Sequence, residues 1–135
     1  MSIRLDHIGI AVNSLEEGAE FWNLLGLVNQ SDLELNEEQG VKIQFLSTGE
    51  GDTPKIELLE PTGPETPIGR FISRKGVGVQ QLAFQVDDIE EMINHLMNNG
   101  IVMIDESPKN GSHGTRIAFV HPKSTGGVLV ELVEK

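Results

Sequence analysis

LDHIGIAVNSLEE at residues 5–17 and VQQLAFQVDDIEE at residues 79–91 follow one pattern, and adding 74 to a position in the first gives its counterpart in the second. Val12 falls on Val86, Leu15 on Ile89, Glu16 on Glu90 and Glu17 on Glu91. The same shift carries Gly26 onto Gly100, GVKIQFL at 40–46 onto GTRIAFV at 114–120, and KIELLE at 55–60 onto LVELVE at 129–134. A similarity that keeps one offset through separate segments without a gap is the mark of a repeated structural unit.

Each copy reads in the same order. Ile3 to Val12 and Val79 to Val86 are short, apolar and rich in β-branched residues, as strands are. Ser14 with Glu17, and Asp88 with Glu91, have the spacing of a helix N-cap and its third residue. Gly26 and Gly100 offer left-handed stops for the helices that follow. Three further strands are predicted in each copy, over 27–35, 41–47 and 55–60 and over 101–106, 115–121 and 128–134. The fold class is therefore α+β, with two tandem βαβββ units forming an eight-stranded open barrel around a metal site. A single domain over 1–135 divides into repeat one at 1–61, a connector at 62–76 and repeat two at 77–135. The connector, PTGPETPIGRFISRKG at 61–76, has prolines and glycines throughout, with a short helical turn expected near Ile68 to Ile72.

Strand alternation then decides which side chains face the shared concave surface. Ile8, Ile10 and Val12 fall on the side that packs a helix, which leaves His7, Gly9 and Ala11 opposite. Leu82, Phe84 and Val86 repeat the apolar side, and Gln81, Ala83 and Gln85 the other. In the last strand of each copy Glu57 stands between Ile56 and Leu58, and Glu131 between Val130 and Leu132. His7 maps onto Gln81 and Glu57 onto Glu131 at the same offset of 74. A polar group among apolar neighbours must be satisfied or it costs several kcal/mol, roughly. Four such groups related by a pseudo-twofold axis can satisfy one another around a cation. One imidazole, one amide and two carboxylates suit Co, Mn, Ni, Zn or Mg, and the two negative charges match a dication.

Composition limits the alternatives. With 135 residues and no cysteine, the chain has neither disulfides nor thiolate ligands, and a cytoplasmic setting is the simplest expectation. The N-terminal stretch lacks the h-region of a signal peptide, and no run is long enough to span a bilayer. A formal charge of −11 repels phosphate backbones and anionic lipid, so nucleic acid and membrane are not expected partners. Other polar residues carry weaker signals. Glu60 and Glu134 repeat but follow the strand ends and are expected to face water. His95 is placed on the solvated side of the second helix, His113 in the NGSHGT loop, and His121 in a turn at HPKSTGG. Trp22, Phe21 and Leu25 are expected to pack.

DHIGIAV, EEQGVKIQFL, KIELLEP with PIGRF, QQLAFQVDDI and HPKSTGGVLVEL together resemble the methylmalonyl-CoA epimerases of the vicinal oxygen chelate superfamily, which includes glyoxalase I. That resemblance implies metal ligation by His7, Glu57, Gln81 and Glu131, with Glu131 and Glu57 as catalytic carboxylates that move a proton at the carbon between a thioester and a carboxylate. It implies an acyl-CoA substrate, and a homodimer is expected. Two departures stand out. Gln80 and Gln81 replace a pair of histidines, and Ile43 occupies the place of a third-strand glutamate that some of these enzymes use as a second acid or base. Two other activities fit the same scaffold, a glyoxalase I-like isomerase and a non-catalytic small-molecule binder.

Overall fold

The computed structural model describes residues 2–29, 32–49 and 51–135. Among these are three α-helices and nine strands, a mixed α+β architecture. The chain divides into two compact units, one of residues His7–Gln80 and one of Met1–Asp6 with Gln81–Lys135.

In the unit His7–Gln80, strand β1 (Ile3–Ala11) leads into helix α1 (Leu15–Leu25). Ser14 Oγ accepts the Glu17 amide at 3.1 Å, and Gly26 at φ 117° closes the helix in the left-handed region. The strands β2 (Val28–Asn29), β3 (Glu34–Asn36), β4 (Val41–Ser47) and β5 (Lys55–Pro61) follow. β5 runs parallel to β1, β4 lies antiparallel to β5, and both β2 and β3 pair with β4. One strand was expected over 27–35, but two short ones stand there, and residues 30 and 31 lie outside the described residues.

The two faces of this sheet are both covered. Ile10, Val12, Leu46, Ile56 and Leu58 pack with Leu15, Ala19 and Trp22 of α1. On the other face Ala11, Val41, Ile43 and Leu59 pack with Ile68, Phe71 and Ile72. Those last three belong to a helix of nine residues, α2 (Pro67–Lys75), where a single turn was expected. Thr66 accepts the Gly69 amide at 3.1 Å and Pro67 occupies the first helical position, where its missing N–H costs nothing. An i, i+3, i+4 apolar set at 68, 71 and 72 then gives the helix a face to bury.

The rest of the chain carries β6 (Gly78–Val86), α3 (Ile89–Asn98), β7 (Lys109–Asn110), β8 (Arg116–Val120) and β9 (Val130–Glu134). Asp88 Oδ1 accepts the Glu91 amide at 3.0 Å, and Gly100 at φ 83° follows the α3 cap residue Asn99. Ile89, Met92 and Ile93 bury the inner face of α3 against Val86, Ala118 and Leu132. The strand predicted over 101–106 is absent: that segment makes only an isolated bridge between Met103 and Val120, and the short edge strand forms later, at β7. Residues 101–106, IVMIDE, are apolar enough to read as a strand, but the backbone hydrogen bonds of Ile104 and Asp105 both converge on the Phe119 carbonyl instead of forming a ladder.

Register is shared between the units. Ile8 opposes Ile56 and Gly9 opposes Glu57 in the first, while Leu82 opposes Val130 and Ala83 opposes Glu131 in the second. Phe45 opposes Glu57, and Phe119 opposes Glu131. Every one of these pairs is related to its counterpart by 74.

Candidate active site

Burial singles out the residues selected by alternation. Among the described residues the buried polar side chains are His7, Ser47, Glu57, Gln81 and Glu131. Four of these five are the proposed ligand set, and Glu57 and Glu131 are the only buried acids of the described chain.

In the first unit, His7 on β1 and Glu57 on β5 meet, with Nε2 3.3 Å from Oε1. The edge of Phe45 on β4 holds the imidazole, ring centroids 5.6 Å apart at 84°. The α2 helix packs on this same face of the sheet, through the cluster that includes Phe45 and Ile43. Ile43 is buried there at 4% exposure, so β4 brings an apolar side chain to this face.

The second unit holds the matching pair. Gln81 on β6 donates through Nε2 to Glu131 Oε1 on β9 at 2.9 Å. A half-turn of the amide about its terminal bond exchanges nitrogen for oxygen at that point, which is the atom a cation would take. Each unit thus brings two of the four side chains within contact, and among the described residues no group of three His, Asp or Glu side chains stands together as a metal cluster. As donors they fit a divalent cation. A buried carboxylate is costly to desolvate without compensation, and a cation offsets its charge while the neutral imidazole or amide beside it adds no further charge.

Glu60 and Glu134 do not face water as expected. Glu60 Oε1 accepts the backbone amide of Leu15 at 2.8 Å, and Glu134 Oε2 accepts that of Ile89 at 2.9 Å. Each carboxylate caps the first residue of the helix in its own unit, where free amides and the helix dipole favour an anion. Because Glu57 and Glu60 differ by three along one strand, they point to opposite faces; Glu131 and Glu134 do the same. The strand that offers a carboxylate to the site is thereby tied to its helix from behind. A cation completes each tie: Lys42 lies 3.6 Å from Glu60, and Arg116 lies 3.0 Å from Glu134 and 2.8 Å from Glu90. Lys42 and Arg116 are also related by 74. The missed signal was therefore available, as a basic residue and an acidic residue that repeat together.

The Arg116 hydrogen bond, followed by the bond from the Ile89 amide, holds the Glu134 carboxyl below its ordinary range. A depressed folded-state value means stability that is present above the unfolded value of about 4.3 and lost as pH falls through the folded one. Glu134→Ala should leave the buried Ile89 amide without its acceptor, at a cost of about 1–3 kcal/mol. Thermal melts at neutral pH should show that loss, and the gap to the wild type should narrow as pH drops below about 4. A gap independent of pH would deny the carboxylate its anchoring role.

The remaining candidates are peripheral. His95 is exposed in the last turn of α3. His113 is exposed too, with φ 56° in a 3-10 turn at Ser112–Gly114. His121 serves its turn, Nδ1 accepting the Lys123 amide at 3.1 Å. Trp22 packs against the α1 core, but Phe21 and Leu25 are exposed, contrary to expectation. Gly18 and Ala19 supply the close helix–sheet contact instead, and at Gly18 a Cβ would come within 2.5 Å of Val12.

A profile of the Glyoxalase/Bleomycin resistance protein/Dioxygenase superfamily matches residues 6–119. The chain is 40% identical over 132 residues to the uncharacterized protein YqjC of Bacillus subtilis, covering 97% of this chain and 91% of that one. It is 39% identical over 131 residues to the mitochondrial methylmalonyl-CoA epimerase of Homo sapiens, covering 96% and 72%. A solved methylmalonyl-CoA epimerase in complex with methylmalonyl-CoA and NH4+ superposes with a TM-score of 0.90 at 36% identity, covering 100% of this chain and 96% of that one.

Proposed function

The chain belongs to the Glyoxalase/Bleomycin resistance protein/Dioxygenase superfamily, and from that membership we propose that it is an epimerase inverting the α carbon of methylmalonyl-CoA through an enolate. The observation that carries this reading is the pair of buried carboxylates, Glu57 and Glu131, at equivalent places in the two units, in a chain similar to methylmalonyl-CoA epimerases over nearly its whole length. We propose further that the chain is one domain of two tandem βαβββ repeats, 1–61 and 77–135 joined by 62–76, and that their eight principal strands form an open barrel.

In this reading His7, Glu57, Gln81 and Glu131 hold a divalent metal, Co, Mn, Ni, Zn or Mg. When bound, the metal supplies Lewis-acid stabilisation of the negative charge that develops on the substrate oxygens. The proton work belongs to the chain. Glu131 removes the α proton, and Glu57, its counterpart, serves the opposite face of the carbon. Inversion follows when one carboxylate takes the α proton and the other, already carrying a proton of its own, delivers that proton to the opposite face; exchange with solvent then restores the starting protonation of the pair. The α carbon of a malonyl thioester lies between a thioester and a carboxylate, and it is the thioester carbonyl that acidifies its proton and takes up the charge left when a carboxylate side chain removes it.

Solvent exchange tests this directly. Incubation with methylmalonyl-CoA in D2O should place deuterium at the α carbon of the CoA thioester and racemise it. Turnover of a glutathione hemithioacetal without such incorporation would instead establish a glyoxalase I-like isomerase, and stoichiometric ligand binding with neither reaction a binder. Gln81→His tests ligation, since an imidazole is the better donor for Co and Zn: affinity for those ions should rise roughly tenfold or more in a metal titration. No change would place Gln81 outside the ligand set.

A cytoplasmic homodimer is part of the proposal, supported by the outer side of α1. Phe21, Leu24 and Leu25 are exposed, Leu24 at 88%, and recur at the spacing of one helical face. Their counterparts at offset 74, at the end of α3, are His95, Asn98 and the cap residue Asn99, so the fold itself does not need apolar residues there. A contiguous apolar face of this kind marks an interaction surface. The triple variant Phe21→His, Leu24→Asn, Leu25→Asn should sediment as a monomer where the wild type sediments as a dimer. Identical sedimentation would move the interface elsewhere.

A further inference from the structure

The 21 residues from Thr66 to Val86 contain three basic side chains and no acidic one, whereas the other 114 residues carry seven basic and 21 acidic. The three are Arg70, Arg74 and Lys75, and all are exposed on α2. Arg70 donates from Nη1 to the Glu65 backbone carbonyl, and Lys75 Nζ lies 6.0 Å from the centroid of the Phe71 ring. None of them pairs with a carboxylate among the described residues, although acids outnumber bases two to one along the chain.

Helix-end chemistry explains only part of this. Arg74 and Lys75 stand in the last turn of α2, where cations complement the dipole. Arg70 stands near the start, where a cation is unfavourable on that ground. Arg70 and Arg74 are four apart and so share a side of the helix, whereas Lys75, four after Phe71 and over its ring, projects from the end of the apolar side. The opposite side, Ile68, Phe71 and Ile72, is fixed to the sheet face that carries His7 and Glu57, through a cluster that includes Phe45. The helix therefore offers cations to solvent while anchored beside one half of the candidate site.

Resting on the epimerase reading, we propose that the basic side of α2 binds the phosphate groups of the acyl-CoA, remote from its thioester. A chain of charge −11 repels a polyanion at long range, so an acyl-CoA needs a local patch of opposite sign. Arginine suits it, because the guanidinium fork bonds two phosphate oxygens at once. The ligand class is an adenosine 3′,5′-bisphosphate group carried on a flexible arm whose other end is the reacting acyl thioester.

The test compares two substrates with the same acyl group, methylmalonyl-CoA and methylmalonyl-pantetheine, which lacks phosphate. In the wild type the CoA thioester should have the lower KM, and that advantage should shrink with added salt as the charges are screened. In Arg70→Gln/Arg74→Gln/Lys75→Gln, with folding checked by circular dichroism, KM for the CoA thioester should rise roughly tenfold, on the scale of several exposed ion pairs, and the advantage should vanish while kcat for it holds. A persistent advantage in the variant overturns the proposal and leaves the epimerase reading intact. Should the wild type turn over neither thioester, calorimetry with adenosine 3′,5′-bisphosphate still decides: binding lost in the variant supports the site, and equal or absent binding in both proteins overturns it. Inorganic phosphate competing as well as the bisphosphate would also overturn it, since the patch would then take any anion.

Discussion

His7→Ala and Glu131→Ala are each expected to strip the protein of tightly held divalent metal. His7 is the single imidazole among the four proposed donors and Glu131 one of the two carboxylates, so one change removes the borderline nitrogen ligand and the other half of the neutralising charge. Loss of a mere supporting hydrogen bond around a metal typically costs about 10–100-fold in affinity, and loss of a ligand itself should exceed that. Elemental analysis after dialysis, followed by titration with Mn or Co, reads the effect. Because His7 is buried with its ring against Phe45, the alanine variant also opens a cavity; His7→Gln fills much of that space and should retain more metal than alanine. Native metal content in both His7→Ala and Glu131→Ala would remove these residues from the ligand set.

The burial of the candidate residues was legible because one half of the sequence can be compared with the other. His7, Glu57, Gln81 and Glu131 emerged from alternation within strands and from one offset between the halves, and all four are buried, His7 beside Glu57 and Gln81 bonded to Glu131. Helix starts at Ser14 and Asp88 were equally readable, since the cap and its target amide lie three residues apart. The misses share a different cause. Glu60 and Leu15 are 45 apart in sequence, as are Glu134 and Ile89, and a strand-end glutamate looks solvated until the helix it caps is placed beside it. The segment 101–106 has strand composition but lacks a ladder partner, a property of its neighbours and not of its own residues. The helix α2 was underestimated because prolines and glycines dominate its approach, although Pro67 at its first position starts a helix as readily as it breaks one.

Glu131→Gln separates holding a metal from moving a proton. The amide keeps the side-chain shape and an oxygen donor but removes the basicity, so metal should be weakened and not abolished, while exchange of the α proton collapses. General-base catalysis is worth about a hundred- to ten-thousand-fold in rate, and the loss should reach that range once metal is saturating. Glu57→Gln is the necessary comparison, because Glu57 holds the same place in the other unit, opposite Phe45 as Glu131 is opposite Phe119. Ile43 on β4 is apolar and buried, so that position offers no acid or base, and the proposed mechanism assigns the two faces of the carbon to these two glutamates. Each variant should then fail with a different epimer when deuterium uptake is followed separately from (R)- and (S)-methylmalonyl-CoA. If both variants exchange both epimers at the wild-type rate with metal bound, neither carboxylate is the base, and the proton must be carried by a group outside the two pairs.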